Sequence, residues 1–200
     1  MNFILASASP RRLELLQQIG IEPKVIVSAF DEVKTELAPK ALVRANALGK
    51  GKTVVSQSPQ EAVVVAADTI VVLHGEVLGK PHDVQDAARM LTELSGHTHQ
   101  VLTAIAVFYQ GKQAVKVEKT DVEFYPLTKE QILSYIATGE PMDKAGAYGI
   151  QGWGALLVKG IHGSYSNVVG LPLGTLIRML MEMGVINNDQ LFNQGFSPRG

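Results

Sequence analysis

Apolar and polar positions follow two rhythms along this chain. Short runs rich in Val and Ile predict strands, and apolar residues three to four apart between them predict helices; together they point to a mixed α/β or α+β fold. Residues 3–6 predict a first strand. Ser7-Ala8-Ser9-Pro10 predict a turn into a helix, with Ser9 as N-cap and Pro10 at the first helical position. Leu13, Leu16 and Ile19 give that helix its apolar face, and Gly20 stops it. A second strand is expected at 25–28, then a helix at 41–55 that Gly49 and Gly51 weaken. Residues 63–67 are a continuous apolar run, as in a strand buried on both faces, and the chain continues through Asp68-Thr69 into 70–73. His74-Gly75 then predicts a hairpin to 76–78. Further on, 86–94 predict a helix closed by Gly96, and 101–109 with 115–124 a long strand pair turning near Gly111. Thr128-Lys129-Glu130-Gln131 fits a capping box opening a helix to about residue 137. A glycine-rich stretch over 139–154, a strand at 155–158 and a last helix at 173–183, ended by Gly184, complete the pattern.

Length and composition narrow the function classes. The 200 residues allow one domain or two small lobes sharing a core, and no linker divides them. We expect one domain over 1–186 and a polar tail over 187–200 that frays. With 46% hydrophobic and 18% charged residues, disorder by composition is excluded. No apolar run approaches the ~20 residues that cross a bilayer. Met1-Asn2-Phe3 does not open a secretory leader, so none is expected. A net charge of -1 argues against a dedicated binder of nucleic acid or membrane surface. The absence of cysteine removes disulfides, thiolate metal sites and cysteine nucleophiles, and is compatible with a reducing cytoplasm.

Three segments carry candidate chemistry. The first is Ser7-Ala8-Ser9-Pro10-Arg11-Arg12. Two arginines in a first helical turn oppose the helix dipole, at about 0.3–1 kcal/mol each when exposed, unless an anion sits there. A strand, a small-residue turn, a helix start and two arginines make a phosphate cradle; a solvated arginine pair after an ordinary cap fits the motif equally. The second is Asp68, an acid within a buried apolar run. Such a carboxylate must be hydrogen-bonded, paired or metal-bound, and is placed to act as metal ligand or general base; a turn-capping Asp is the alternative. Lys80, between Gly79 and Pro81, can supply a fixed cation near it or be surface. Asp31-Glu32 can hold Mg²⁺ through oxygen, and Lys50 can reach a phosphate, or each can be solvated. The third is 139–152, with four glycines and neither a dinucleotide fingerprint nor a Walker loop; Gln151 there has an amide suited to reading a base edge, unless the stretch is only a connector. The histidines 74, 82, 97, 99 and 162 lack the spacing of a helical zinc pair, though His97 and His99 would share a strand face.

Taken together, Ser7-Ala8-Ser9-Pro10-Arg11-Arg12-Leu13-Glu14-Leu15-Leu16, Ala67-Asp68-Thr69, Leu78-Gly79-Lys80-Pro81, Leu94-Ser95-Gly96, Asp143-Lys144-Ala145-Gly146 and Val169-Gly170-Leu171-Pro172 resemble the Maf family of nucleoside triphosphate pyrophosphatases. The resemblance runs from Phe3 to about Gly184. It implies a fold like that of inosine triphosphate pyrophosphatases, with a cleft between two lobes around a long bent mixed sheet. It implies hydrolysis of a nucleoside triphosphate to monophosphate and pyrophosphate with a divalent metal, Mg²⁺ or Mn²⁺, and removal of non-standard nucleotides in the cytoplasm. By the same resemblance Asp68 matches the proton acceptor. Arg11, Thr69 and Gln151 match positions that set substrate choice. Arg12, Lys50 and Lys80 match basic residues facing the triphosphate, with Ser7 and Arg11 in the same cradle, and Glu32 and Asp68 match the metal side. Residues 147–152 look like the branch acting on dTTP and UTP; the sister branch acting on 7-methyl-GTP and a non-catalytic nucleotide-binding regulator of cell division are the alternatives. Family members are often dimers, so a homodimer is carried as an expectation. Gly51 departs from the family, where alanine is more usual after the helix lysine, and is expected to loosen the helix that carries Lys50.

Overall fold

The computed structural model describes residues 1–33 and 37–190. Its strands are β1 (Phe3–Leu5), β2 (Lys24–Val25), β3 (Val63–Leu73), β4 (Glu76–Leu78), β5 (Thr98–Tyr109), β6 (Lys112–Phe124) and β7 (Val158–His162). Its helices are α1 (Pro10–Gln18), α2 (Pro39–Val55), α3 (Val84–Leu94), α4 (Lys129–Ala137), α5 (Tyr165–Val169) and α6 (Leu173–Glu182). The strands form one mixed sheet ordered β2-β1-β3-β5-β6-β7, with β4 also on β3. β1 runs parallel to β2 and β3, and every other pair is antiparallel. The mixed α/β expectation holds.

β3 organises the molecule. One of its edges pairs with β5 from Val64 to Val72. The other pairs with β1 at Val63 to Val65 and with β4 at Val71 to Leu73. Between those two partners, residues 66–70 have no strand on that edge among the described residues. That uncovered stretch of edge carries Asp68 and Thr69.

The side-chain period of two decides which way each side chain of β3 faces. Val63, Val65 and Ala67 pack with Leu16, Leu176, Met179 and Leu180 of α1 and α6. Val64, Ala66 and Ile70 pack on the other face against Val43, Ala47 and Val54 of α2. Val71 and Leu73 belong to a third cluster with Leu91 and Leu94 of α3 and Ile132 of α4. Burying a side chain of this size stabilises by roughly 1.5–3 kcal/mol, so the three clusters hold both ends of β3 rigid. Parity then sends Asp68 toward α2 and Thr69 toward α1.

Several boundaries differ from expectation. The second strand is the two-residue edge strand β2, not 25–28: after Ile26 donates to the Leu5 carbonyl, Ser28 turns the chain by accepting from the Phe30 amide. The strand expected at 155–158 lies later, because Gly152 to Leu157 coil into a 3-10 segment before β7. α5 is a short helix unmarked by apolar periodicity, capped by Ser164, whose hydroxyl accepts from the Asn167 amide. Ser9 sits at the N-cap of α1 but makes no side-chain cap; its own amide donates to Ser7 Oγ. His97 precedes β5, so only His99 is on the strand. Of the expected tail, 191–200 lie outside the described residues, and Asn188–Gln190 form a 3-10 turn.

Gly51 does not loosen α2, which runs unbroken for 17 residues. A Cβ at Gly51 would meet a Phe108 ring carbon at 2.2 Å, and one at Gly49 would meet the Phe30 ring at 2.3 Å. The two glycines flanking Lys50 thus admit an aromatic ring each. That packing offsets the ~1 kcal/mol that each glycine costs a helix relative to alanine.

Candidate active site

The turn after β1, the N-terminus of α1, the middle of β3 and the glycine-rich stretch surround one cleft of about 1210 Å³. The nine residues given roles by the family resemblance line it: Ser7, Arg11, Arg12, Glu32, Lys50, Asp68, Thr69, Lys80 and Gln151; Asp31, paired with Glu32 in the sequence as a metal candidate, is exposed and does not.

Asp68 is buried in mid-strand, not at the strand end, and it is not alone. Lys50 projects from α2 and places Nζ 2.6 Å from Asp68 Oδ1 and 2.6 Å from Glu32 Oε1. One turn earlier on the same helix face, Asn46 donates from Nδ2 to Asp68 Oδ2 at 3.4 Å and accepts the Val33 amide at 2.8 Å. Asn46 therefore links the Glu32 loop to β3. It was not singled out in the sequence, although a buried Asn on the apolar face of a helix, between Val43 and Ala47, is a signal of its own. Burial opposes ionisation of Glu32, but the hydrogen bond and charge of Lys50, with Lys80 and Arg12 beyond, hold its carboxyl below the usual range.

On the opposite face of β3, the Arg12 guanidinium is clamped at three points. Nε donates to the Gly170 carbonyl at 2.8 Å, Nη1 to Ser7 Oγ at 3.0 Å and Nη2 to Thr69 Oγ1 at 3.0 Å. Thr103 donates its single proton to the Asn167 carbonyl, so Thr69 donates to Thr103 at 2.9 Å. The relay Arg12–Thr69–Thr103–Asn167 fixes the fork. Guanidinium has five N–H donors, so these three bonds leave two for an anion in the cleft. Burial lowers the Arg12 pKa and Arg11 adds to that, against Asp68 and Glu32, which raise it; an anion in the cleft would offset the same burial.

Arg11 reaches across the cleft mouth to Asp143, with Nη1 to Oδ2 at 3.3 Å. Lys80 is exposed at the rim, and Gln151 is half-buried. Around Gln151 the chain wraps the Glu140 carboxylate, which accepts from the Trp153 and Gly154 amides and from the Tyr135 hydroxyl. Glu140 had no role in the sequence reading.

The donor set bears on a divalent cation. Two carboxylates, Glu32 and Asp68, converge on a single ammonium. Mg²⁺ and similar hard cations are commonly held by one or two carboxylates, with water and substrate phosphate completing the shell. Among the described residues no three acidic or histidine side chains gather into a cage. The residues fit a cation shared with a phosphate ligand.

Deeper in the wall, Tyr148 lines the cleft with its hydroxyl 2.7 Å from His99 Nε2. Phe124 packs edge-on against both rings. Burial lowers the His99 pKa from 6.5 to about 4. The unfolded chain therefore takes up a proton from pH 6.5 downward while the folded one does not, so this stabilising contribution is full above 6.5 and is lost as pH falls toward 4. The loss amounts to about 3 kcal/mol by pH 4. Urea unfolding of wild type and His99→Gln across that range measures it: the wild type should lose stability faster, and parallel curves would refute the assignment.

No described helix is long and apolar enough to cross a membrane. A family model described as Maf-like protein matches residues 2–183. A protein of Symbiobacterium thermophilum named dTTP/UTP pyrophosphatase is 52% identical, over 92% of this chain and 94% of its own. One of the same name from Agathobacter rectalis is 46% identical, over 92% and 98% respectively. Among solved structures, the Ham1 protein of Staphylococcus aureus shares the fold with a TM-score of 0.54 at 16% identity, over 92% of this chain and 100% of that one. The sequence motifs, the cleft that most of them line and a match over nearly the whole chain agree that this protein belongs to the Maf family.

Proposed function

We propose that this protein hydrolyses dTTP and UTP to the monophosphate and pyrophosphate. The observation that carries the reading is the pair Asp68 and Thr69, adjacent on β3 and facing opposite ways at the gap in its edge. Thr69 holds the Arg12 fork on one side, and Asp68 meets Lys50 on the other. A triphosphate carries roughly four negative charges near neutral pH and needs such a clamp.

Each side chain has a task in this reading. Arg12, Ser7 and Arg11 at the start of α1, with Lys80 and Lys50, bind the phosphates. Asp68 orients a water molecule and takes its proton on Oδ2, the oxygen not held by Lys50. The water oxygen bonds to the α-phosphorus, and the α–β bridging oxygen leaves with its electron pair on pyrophosphate. Gln151 and Arg11 discriminate among bases and sugars at the far side. Glu32 and Asp68 would hold Mg²⁺ or Mn²⁺, which when bound supplies charge neutralisation at the phosphates. Residues 1–186 form one catalytic unit in this reading, acting in the cytoplasm to clear non-standard nucleotides before polymerases use them.

The test is a panel of nucleoside triphosphates with Mg²⁺ or Mn²⁺, with pyrophosphate and orthophosphate measured separately. Pyrophosphate from dTTP and UTP is expected. Orthophosphate alone means attack at the γ-phosphorus and refutes the reading; turnover of 7-methyl-GTP well above dTTP moves the chain to the sister specificity; inertness toward all nucleotides favours a binding role.

A further inference from the structure

We infer that Glu140 is the positioning residue for substrate discrimination, fixing from outside the cleft the loop that presents Gln151; this rests on the reading of Gln151 as a base-recognising side chain. Glu140 does not line the cleft. Its Oε1 accepts from the Tyr135 hydroxyl at 2.9 Å and the Gly154 amide at 3.1 Å, and its Oε2 from the Trp153 amide at 3.0 Å. Tyr135 in turn accepts the Gly149 amide at 3.2 Å. Burial, and the Glu140 carboxylate it donates to, push the Tyr135 hydroxyl up, so it stays protonated. The chain on both sides of Gln151 is therefore tied to Glu140, directly at Trp153 and Gly154 and through the Tyr135 hydroxyl at Gly149, while no bond to another described residue is seen for the Gln151 amide itself.

The loop is shaped around that carboxylate. Gly152 has a φ of +64, and a Cβ there would lie 2.6 Å from Glu140 Oε2. Gly154 is closed in the same way, since a Cβ would meet the Gly149 carbonyl oxygen at 2.0 Å. Glycines at these places let backbone amides approach the carboxylate directly. Bonds from neutral donors to an ionised carboxylate are about twice as strong as neutral pairs. A second tie leaves the same segment: Lys144 Nζ donates to the Glu140 carbonyl at 2.6 Å and to Asp143 Oδ1 at 2.7 Å, and Asp143 Oδ2 meets Arg11. Arg11 and the loop that carries Gln151, two of the elements assigned to substrate choice, are thus anchored to residues 140–144, of which Asp143 and Lys144 line the cleft themselves and Glu140 does not.

Steady-state kinetics with dTTP, UTP and dCTP test this on wild type, Glu140→Gln, Tyr135→Phe, Gln151→Ala and the Glu140→Gln/Gln151→Ala double variant, each checked for folding by its thermal transition. Glu140→Gln keeps the shape but exchanges an acceptor for a donor. It should raise KM for dTTP about tenfold, lower the dTTP-over-dCTP preference by the same factor and leave kcat within about twofold, as expected of one lost charge-assisted bond. Tyr135→Phe should give a smaller change of the same kind, and it carries the test if Glu140→Gln does not fold. The double variant should discriminate no worse than Gln151→Ala, because both act through one side chain. Wild-type preference in Glu140→Gln and Tyr135→Phe, with preference lost in Gln151→Ala, overturns the positioning role and leaves the pyrophosphatase reading standing. Unchanged preference in Gln151→Ala removes the base-reading assignment and this inference with it. Equal loss of kcat on every nucleotide in Glu140→Gln also overturns it.

Discussion

Replacing Asp68 with asparagine is expected to lower kcat for dTTP by a factor of roughly 10²–10⁴, the range general-base catalysis supplies. The amide is isosteric but cannot take a proton. It also removes a negative charge from a cleft that receives a polyanion, so binding should hold or tighten. The two effects have opposite signs, which separates them from unfolding. Removing Asp68 leaves Lys50 with Glu32 as its remaining ion-pair partner, half exposed, so some loss of stability accompanies the change. Single-turnover rates, nucleotide affinity by calorimetry and a thermal transition on the same preparation report all three. An Asp68→Asn protein with kcat within threefold of wild type would remove Asp68 from the chemistry. A wild type with no measurable rate and the same nucleotide affinity as the variant would mark a binding protein.

Arg12→Lys is the second large effect. The change conserves charge, yet kcat/KM should fall by about 10²-fold, the lower end of what one preorganised donor contributes at a developing anion. An ammonium cannot reproduce the fork that meets Gly170, Ser7 and Thr69 at once. It must either satisfy these acceptors or face the phosphates. Leaving buried acceptors without donors costs about 1–3 kcal/mol as well, so the thermal transition should drop. Retained activity together with a lowered transition would mean that Arg12 only braces the fold. Thr103→Val distinguishes further: it breaks the relay behind Thr69 without touching the cleft, and a fraction of the Arg12→Lys defect should appear.

The sequence made the local half of this legible. Alternation along residues 63–73 places Asp68 and Thr69 on opposite faces once the strand is drawn through them, and Asn46 and Lys50 are four apart on a helix. The capping box at Thr128 and the hairpin at His74-Gly75 are local chemistry and appeared as expected. What escaped depends on contacts distant in the chain. Arg12 meets Gly170 across 158 positions and Arg11 meets Asp143 across 132, and no periodicity records either. Glu140 reads as one polar residue in a glycine-rich stretch until the chain folds back on it. The late start of β7 escaped for a related reason: residues 152–157 are apolar enough for a strand, but the tie to Glu140 at their head curls them into a 3-10 turn.

Asp68 and Thr69 are separated by a single peptide bond, in register with Ala104 and Thr103 of the neighbouring strand. In the proposed reaction the proton acceptor and the residue that holds the Arg12 fork are therefore backbone neighbours, one ~3.4 Å step apart along the strand and pointing to opposite faces of it. A displacement of β3 thus moves both residues together. Under the proposed roles, the shared backbone couples the gripped phosphates to the attacked phosphorus, so a substitution that shifts Thr69 along β3 should shift Asp68 with it.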